Sequence, residues 1–166
     1  MGWQAMSTSQ IDKIDKKILE FLSEDARVSN REIASAMDLT EGTVRGRIKR
    51  LQADNIIRIM AIADVRVQTG YDNPMMAYLG IHANLRYLKA AADEIAALPF
   101  VRFAATMLGR YDILAISYVG SNDELIKHVS EDIMTIKGVR HVDTKLAIKN
   151  LKYDYRWGRV IGDEHK

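Results

Sequence analysis

The residues best placed to do chemistry are the cations between positions 45 and 50. Arg45, Arg47, Lys49 and Arg50 make four of these six residues basic. Residues 27–58 contain seven cations and four acids, which leaves +3, whereas the whole chain of 166 residues carries only +2. The positive charge is therefore local, as expected of a segment that contacts the phosphates of a nucleic acid.

Two short helices joined by a tight turn are predicted to position these cations. Ser29 followed by Glu32 is a capping box, in which each side chain bonds the backbone N–H of the other residue. Asp38 lies in the turn, and Thr40 caps the second helix, with Glu41 near the positive end of the helix dipole. Residues 29–51 are therefore typical of a helix-turn-helix unit.

The second helix has an apolar side and a polar side. At about 100° per residue, Ile48 and Leu51 lie within about 40° of Val44, so this side is expected to be buried. The glycines at 42 and 46 lie on the opposite side, where they would let DNA approach the backbone. We predict that the start of this helix meets base edges and that its flanks meet phosphates. The predicted DNA-binding residues are Ser29, Asn30, Thr40, Glu41, Gly42, Thr43, Arg45, Gly46, Arg47, Lys49 and Arg50.

Composition excludes several classes of protein. Hydrophobic residues make up 48% of the chain, and the absence of cysteine excludes disulfides, thiolate metal sites and cysteine nucleophiles. No apolar run approaches ~18 residues, so no membrane span is expected. The first ten residues are polar and do not resemble a secretory signal, so we expect a cytoplasmic protein.

The rest of the chain alternates strand and helix patterns. Strands are predicted at 56–68, 75–83, 100–108, 112–119 and 139–149, and further helices at 86–98 and 121–136. After the turn-forming residues 69–74, the order is β-α-β-β-α-β, the ferredoxin-like arrangement. The predicted fold class is α+β, with a winged-type helix-turn-helix domain at 11–58, a linker strand and hinge at 59–74, a ferredoxin-like (RAM/ACT-like) domain at 75–153 and a tail at 154–166.

Both faces of the predicted sheet are apolar. Leu79 and Tyr78 point to opposite faces on one strand, and Ala115 and Ile116 do so on another. Helices cover only one face of such a sheet, so a second apolar face usually marks an interface. We therefore predict a homo-oligomer built through these sheets.

Three motifs carry a resemblance to a known family. They are Ile-Asp-x-x-Asp-x-x-Ile-Leu at 11–19, Asp-Ala-Arg-x-Ser-Asn-x-Glu-Ile-Ala at 25–34 and Thr-Val-x-x-Arg-Ile-x-x-Leu at 43–51. Together with the second half and its Gly-Arg-Tyr-Asp at 109–112, they resemble the leucine-responsive regulatory protein/AsnC (Lrp/AsnC) family. The resemblance covers about residues 11–153 and implies a sequence-specific regulator of transcription that binds double-stranded DNA.

The resemblance also implies that the second domain oligomerises and senses an amino acid. Dimers of such proteins commonly form octamers, and the effector binds where dimers meet. The loop at 109–112 would face Asn122 and, from another subunit, residues 134–138, with Leu146 nearby. The implied effector-binding residues are Gly109, Arg110, Tyr111, Asp112, Asn122, Met134, Ile136, Gly138 and Leu146.

The chain departs from the family pattern at several positions. Asn55 replaces a usual glycine, and the start of the second helix, Thr40 to Gly42, is unusual, so the base preference of the family does not transfer. Arg110 adds a cation to the effector loop, where it could favour an acidic ligand or pair with a nearby carboxylate. Asp112 could contact the effector or only cap the hairpin.

Two other classes of function stay open at this stage. A ferredoxin-like enzyme is one, yet His82, His128, His141 and His165 are scattered without HExxH or metal-ligand spacing. We therefore predict no catalytic residues, no metal and no cofactor apart from the effector. The other alternative is a ligand-binding module whose basic helix is incidental, because a run of cations is more often a solvated face.

Overall fold

The computed structural model describes residues 11–152 and residue 154. They fall into two compact units: the first comprises residues 11–62 and Asp154, and the second comprises residues 63–152. This division lies inside the predicted linker at 59–74. Tyr153, at the end of the predicted ferredoxin-like domain, lies outside the described residues, as do Tyr155 and Trp157 of the predicted tail and residues 1–10.

Three helices form the first unit: α1 (Lys13–Glu24), α2 (Asn30–Ala36) and α3 (Glu41–Ala53). Each begins at a side-chain cap, with Asp12, Ser29 and Thr40 accepting from a backbone N–H in the first turn. The capping box predicted for α2 is present in full, since Ser29 and Glu32 bond each other's backbone. The predicted helix-turn-helix pattern is confirmed.

A small apolar core holds these helices together. Ile18 of α1, Ile33 of α2 and Val44 of α3 are fully buried, and Ile48 packs against them. The turn between α2 and α3 contains Asp38 at φ 54°, a left-handed conformation that Asp tolerates better than most residues. The predicted buried side of α3 therefore faces α1 and α2.

The predicted linker strand at 56–68 is wrong for this chain. Residues 57–64 have no regular secondary structure, and a short helix follows, α4 (Val65–Thr69). Asp64 caps α4, and Gly70 ends it at φ 73°. The β-branched residues that suggested a strand pair with no second strand among the described residues, and Ile59, Met60 and Ile62 are exposed.

The second unit has the predicted β-α-β-β-α-β order. Its elements are β1 (Met75–Ala83), a 3₁₀ turn (Leu85–Tyr87), α5 (Leu88–Ala97), β2 (Val101–Thr106), β3 (Ile113–Val119), α6 (Asn122–Lys127) continuing into a π-helical turn (His128–Ile133), and β4 (Val139–Leu146). The strands pair antiparallel in the order β2-β3-β1-β4. This is the ferredoxin-like arrangement, which confirms the predicted fold of this half.

One face of the sheet carries the core of this unit. Leu79 of β1 and Ala115 of β3 are fully buried there against Ile95 of α5 and Ile133 at the end of the π-helical turn. The opposite face is apolar along β3, as predicted, and along β2: Ile116 is half-buried, and Phe103 of β2 is 49% exposed. That second face is the one that we predicted to be an interface.

Candidate nucleic-acid interface and effector site

The exposed side of α3 presents a polar surface that we call the reading face. It begins at the N-terminus of the helix, and its members are Glu41, Gly42, Thr43, Arg45, Gly46 and Lys49, all of which are exposed. Arg45 forms an ion pair with Glu41 one turn earlier. Lys49 takes part in no ion pair among the residues that the structure describes. An exposed helix start with accessible cations has the geometry required to enter a major groove.

No steric contact among the described residues requires glycine at the two glycine positions of the reading face. A methyl group at Gly46 would meet no atom within 4 Å, and one at Gly42 would meet only the Thr40 hydroxyl oxygen, at 3.9 Å. Both positions are helical, where glycine costs roughly 1 kcal/mol relative to alanine. The absence of a side chain at both positions leaves the backbone of α3 accessible, which favours a partner molecule that approaches this helix from outside.

Arg47 does not belong to the reading face, contrary to our sequence-based prediction. Its Nη1 lies 2.6 Å from Asp12 Oδ2 and 2.8 Å from Asp15 Oδ1. The Asp15 side chain is fully buried at the start of α1, so its charge needs a cation beside it. The same count of about 100° per residue puts Arg47 only about 60° from Val44, so this inward position was accessible from the sequence.

Arg50 shares the same buried carboxylate. One of its Nη atoms bonds Asp15 Oδ2, while 44% of its side chain is exposed. Burial alone would raise the pKa of Asp15, but the hydrogen bonds from Arg47 and Arg50 outweigh it and hold the pKa below its usual value. Asp15 is therefore ionised at neutral pH, and it was not among the predicted site residues.

The predicted phosphate contacts at the start of α2 are reduced by the capping box. The Ser29 backbone N–H already donates to the Glu32 carboxylate at 2.9 Å, so this group has a partner inside the protein. Asn30 is half-buried. The Thr40 and Thr43 hydroxyls share a hydrogen bond of 2.8 Å, and both residues are exposed, Thr43 on the reading face and Thr40 directly before it.

In the second unit, the predicted effector loop at 109–112 joins β2 to β3. Gly109 has φ 139°, a conformation that favours glycine. Asp112 Oδ2 accepts from the Ala83 backbone N–H at 2.8 Å, and the Asp112 N–H donates to the Ile81 carbonyl at 3.0 Å. The Asp112 carboxylate therefore bonds the end of β1, which differs from the local hairpin cap considered as the alternative to effector contact.

The other two residues of the loop lie against the outer face of the sheet. The Tyr111 ring covers Gly80, where a Cβ would lie 2.5 Å from Tyr111 Cε1. The Tyr111 hydroxyl is buried and has no hydrogen-bond partner among the described residues. Arg110 lies 3.5 Å from Asp143 Oδ2, so it pairs with a nearby carboxylate, the second of the two roles considered for it.

The remaining predicted effector residues do not converge within one chain. Gly138 has φ 99°, and its carbonyl accepts from the Asn84 backbone N–H just after β1. Asp112 of the 109–112 loop bonds this same end of β1. Asn122 follows β3, whose seven residues separate it from that loop by roughly 20 Å, at ~3.4 Å per residue. Leu146 pairs with Ala77, also toward the far end of β1. One chain therefore does not bring these residues together into a single site.

Two of the predicted effector-binding residues that follow α6, Met134 and Ile136, differ in the exposure of their side chains. Met134 is 41% exposed and accessible to a ligand, whereas the Ile136 side chain belongs to the hydrophobic core and is only 5% exposed. Ile136 can therefore offer an effector no more than its backbone, which corrects the prediction for its side chain. Ile136 lies in the turn after the π-helical turn and not in the predicted helix, and its apolar side chain packs into the core of the second unit.

Two polar clusters were not anticipated as functional. The Tyr71 ring lies on Gly120, and its hydroxyl donates to Glu124 of α6. On the outer sheet face, His141 Nε2 lies 3.1 Å from Asp143 Oδ1, and the His82 and His141 rings stack at 5.9 Å. Only the pairing of strands β1 and β4 brings these histidines together, so the sequence offered no signal.

Other kinds of site receive no support in the part of the chain that is described. No group of three or more His, Cys, Asp or Glu side chains is arranged to hold a metal ion within 11–152 and 154. No helix among those residues is long and apolar enough to cross a membrane.

Comparison with known proteins assigns a description to each half of the chain. Residues 11–58 match the family described as winged helix-turn-helix DNA-binding, and residues 76–157 match the Lrp/AsnC ligand binding domain. An HTH-type transcriptional regulator of Pyrococcus abyssi is 32% identical over 88% of this chain and 91% of its own. The regulator LrpA of Pyrococcus horikoshii is 31% identical over 86% of this chain and 99% of its own.

Solved structures show the same architecture. Escherichia coli AsnC superposes with a TM-score of 0.77 at 26% identity, over 86% of this chain and 95% of its own. A transcriptional regulator of Neisseria meningitidis, solved in complex with L-Met, has a TM-score of 0.76 at 20% identity, over 89% of this chain and 96% of its own. At that identity the second likeness concerns the fold alone.

Proposed function

Because the chain belongs to the Lrp/AsnC family of transcriptional regulators, we propose that the reading face of α3 binds the major groove of double-stranded DNA. Thr43 and Arg45 lie near the start of α3, the part that meets base edges in this geometry. Lys49 lies further along and contacts a phosphate, which fixes the register. The same proposal places the protein in the cytoplasm, where the DNA of bacteria and archaea lies.

The observation that carries this proposal is the exposure of one complete side of α3. That side combines two glycines without an internal purpose and two exposed cations, while Val44 and Leu51 bury the other side. An incidental basic helix would need neither glycine, because both lower its stability.

Competition between DNA duplexes tests the proposal. We expect the protein to bind a labelled duplex from its own promoter region more tightly than a shuffled duplex at equal salt. Thr43→Ala should reduce that ratio, whereas Lys49→Ala should weaken binding to both duplexes alike. Equal affinity of the wild-type protein for both duplexes would contradict the proposal that α3 recognises a specific DNA sequence.

We propose that the second unit binds a small amino acid between subunits. The loop at 109–112, in which Gly109 and Arg110 are exposed and Tyr111 and Asp112 are half-buried, supplies groups that suit a zwitterion. The exposed Met134 and the backbone near Gly138 supply others. The complex of the Neisseria meningitidis regulator with L-Met is an example of such a ligand on the same fold. Because Asn122 and Leu146 lie far from the loop in one chain, the site is completed only in the oligomer, which we propose to be a dimer or an octamer of four dimers.

Thermal unfolding in the presence of each of the twenty amino acids tests this second proposal. A ligand at a hundredfold excess over its Kd should stabilise the folded protein by about 2.7 kcal/mol. Asp112→Asn should weaken the shift if the carboxylate contacts the effector, and its melting temperature without ligand reports how much the bond to Ala83 depends on the charge. No shift with any amino acid would leave this unit as an oligomerisation domain.

A further inference from the structure

We propose that Asp15 is a positioning residue that limits non-specific DNA binding. It holds the Arg47 guanidinium away from the DNA phosphates and orients the Arg50 guanidinium through a hydrogen bond. The inference rests on DNA binding through α3 and assigns a role in it to a buried residue of a different helix. Asp15 is separated from both arginines by more than thirty positions, since its bonds to them span 32 and 35 residues. The contact therefore belongs to the fold of the unit and not to α3 alone.

The two acids at the start of α1 form a compact cluster with the two arginines. Asp15 Oδ1 accepts from Arg47, Oδ2 accepts from Arg50, and Oδ2 also accepts from the Asp12 backbone N–H at 3.2 Å. Asp12 Oδ2 accepts from Arg47 as well, at 2.6 Å. The cluster contains two acids and two cations, so it carries no net charge.

Because the Asp15 carboxylate is buried, Arg47 is expected to remain bonded to it and not to move to a DNA phosphate. The Asp15 side chain is fully buried, whereas that of Arg47 is 25% exposed. If Arg47 left for a phosphate, it would leave a buried charge without one of its partners, which is costly. A phosphate at the protein surface is surrounded by water and counterions and offers less in return. Arg47 therefore stays with Asp15 when DNA binds.

The consequence concerns specificity. Contacts to phosphate raise the affinity for every DNA sequence equally, and contacts to base edges separate one sequence from another. Of the four cations in α3, Arg47 is withdrawn and Arg50 is directed by Asp15, which leaves Arg45 and Lys49 at the reading face. The exposed pair between Arg45 and Glu41 is weak enough to open for a base or a phosphate. Asp15 thereby lowers non-specific binding while the reading face is unchanged.

The test compares the salt dependence of binding to a shuffled duplex for a set of variants. In Arg47→Gln, the slope of log K against log[salt] should equal that of the wild type. Lys49→Gln is the matched control on the same helix and should make the slope shallower by about 0.9 for each phosphate that is no longer neutralised.

Asp15→Asn, alone and with Asp12→Asn, should make the slope steeper by about 0.9 for each arginine that moves to a phosphate, and should raise the affinity for the shuffled duplex. Asparagine still accepts at an N-cap, so the start of α1 is retained.

Three results would overturn the inference. One is an Arg47→Gln slope that is shallower than that of the wild type by as much as in Lys49→Gln, because Arg47 would then contact a phosphate. Another is a folded Asp15→Asn protein with an unchanged slope. If thermal melting shows that Asp15→Asn does not fold, the comparison of Arg47→Gln with Lys49→Gln decides alone. If the binding of the wild-type protein to DNA did not depend on salt, the proposal that the reading face binds DNA would be wrong, and so would this inference.

Discussion

At the scale of single residues, Gly46 and Gly138 show how the same residue type serves two purposes. Gly46 lies in open surroundings on α3, whereas Gly138 has φ 99° and a Cβ there would lie 2.4 Å from Tyr87 Cβ. We expect Gly46→Ala to raise the free energy of unfolding by up to about 1 kcal/mol and to weaken DNA binding. Gly138→Ala should lower the free energy of unfolding by more than about 1 kcal/mol.

Urea unfolding and DNA titration of the two glycine variants check this pair of predictions. Gly138→Ala is the control for the stability measurement, because its strain is internal to the second unit. A Gly46→Ala protein that is more stable and binds DNA as tightly as the wild type would mean that this glycine has no role at the DNA interface.

Asp15 gives a prediction for pH at the same scale. Its pKa is lowered in the folded protein, because the bonds from Arg47 and Arg50 outweigh the opposing effect of burial. The stabilisation is therefore complete above the unfolded pKa of about 3.9 and is lost as the pH falls through the folded pKa. We expect the wild type to lose stability below about pH 4 more steeply than Asp15→Asn. Urea unfolding between pH 7 and pH 3 measures this difference, and parallel curves for the two proteins would contradict it.

At the scale of elements, the Tyr71 contact joins the segment after α4 to the start of α6. The Tyr71 hydroxyl holds the pKa of Glu124 below its usual value, and the Gly120 N–H donates to the same carboxylate. We expect Tyr71→Phe to lower the free energy of unfolding by about 1 kcal/mol and to raise the Glu124 pKa. Carboxyl NMR titration measures that pKa. In Gly120→Ala a Cβ would meet the Tyr71 ring at 2.7 Å, so this variant should displace the ring as well. An unchanged Glu124 pKa in Tyr71→Phe would contradict the assignment.

The sequence was sufficient to predict elements with local signals. The caps at Ser29 and Thr40 and the alternation of β1 and β3 depend on neighbouring residues, and the structure confirms them. The linker was wrong because a strand needs a partner that periodicity does not supply. The inward position of Arg47 follows from its angle on α3, whereas its partner, Asp15, could not be identified from the sequence because it belongs to another helix.

At the scale of the whole molecule, the apolar outer face of the sheet bears on how the reading faces act together. A single reading face makes few base contacts, and two held in one oligomer can bind repeated half-sites jointly. We expect light scattering to show a dimer or larger assembly for the wild type and a shift toward monomer for Ile116→Lys, which places a charge on the outer face. Leu85→Lys is the control, since Leu85 is exposed in the turn before α5. A wild-type monomer at micromolar concentration would contradict assembly through the sheets.

The central claim is that the exposed side of α3 binds DNA, and one titration tests it most directly. A labelled duplex from the protein's own promoter region is titrated with wild type and with Arg45→Ala plus Lys49→Ala at several salt concentrations. We predict a steep negative slope of log K against log[salt] for the wild type. The double variant should bind more weakly, with a slope that is shallower by up to about 1.8 for each reading face, at about 0.9 for each of the two cations. The same affinity and slope in both proteins would contradict the claim.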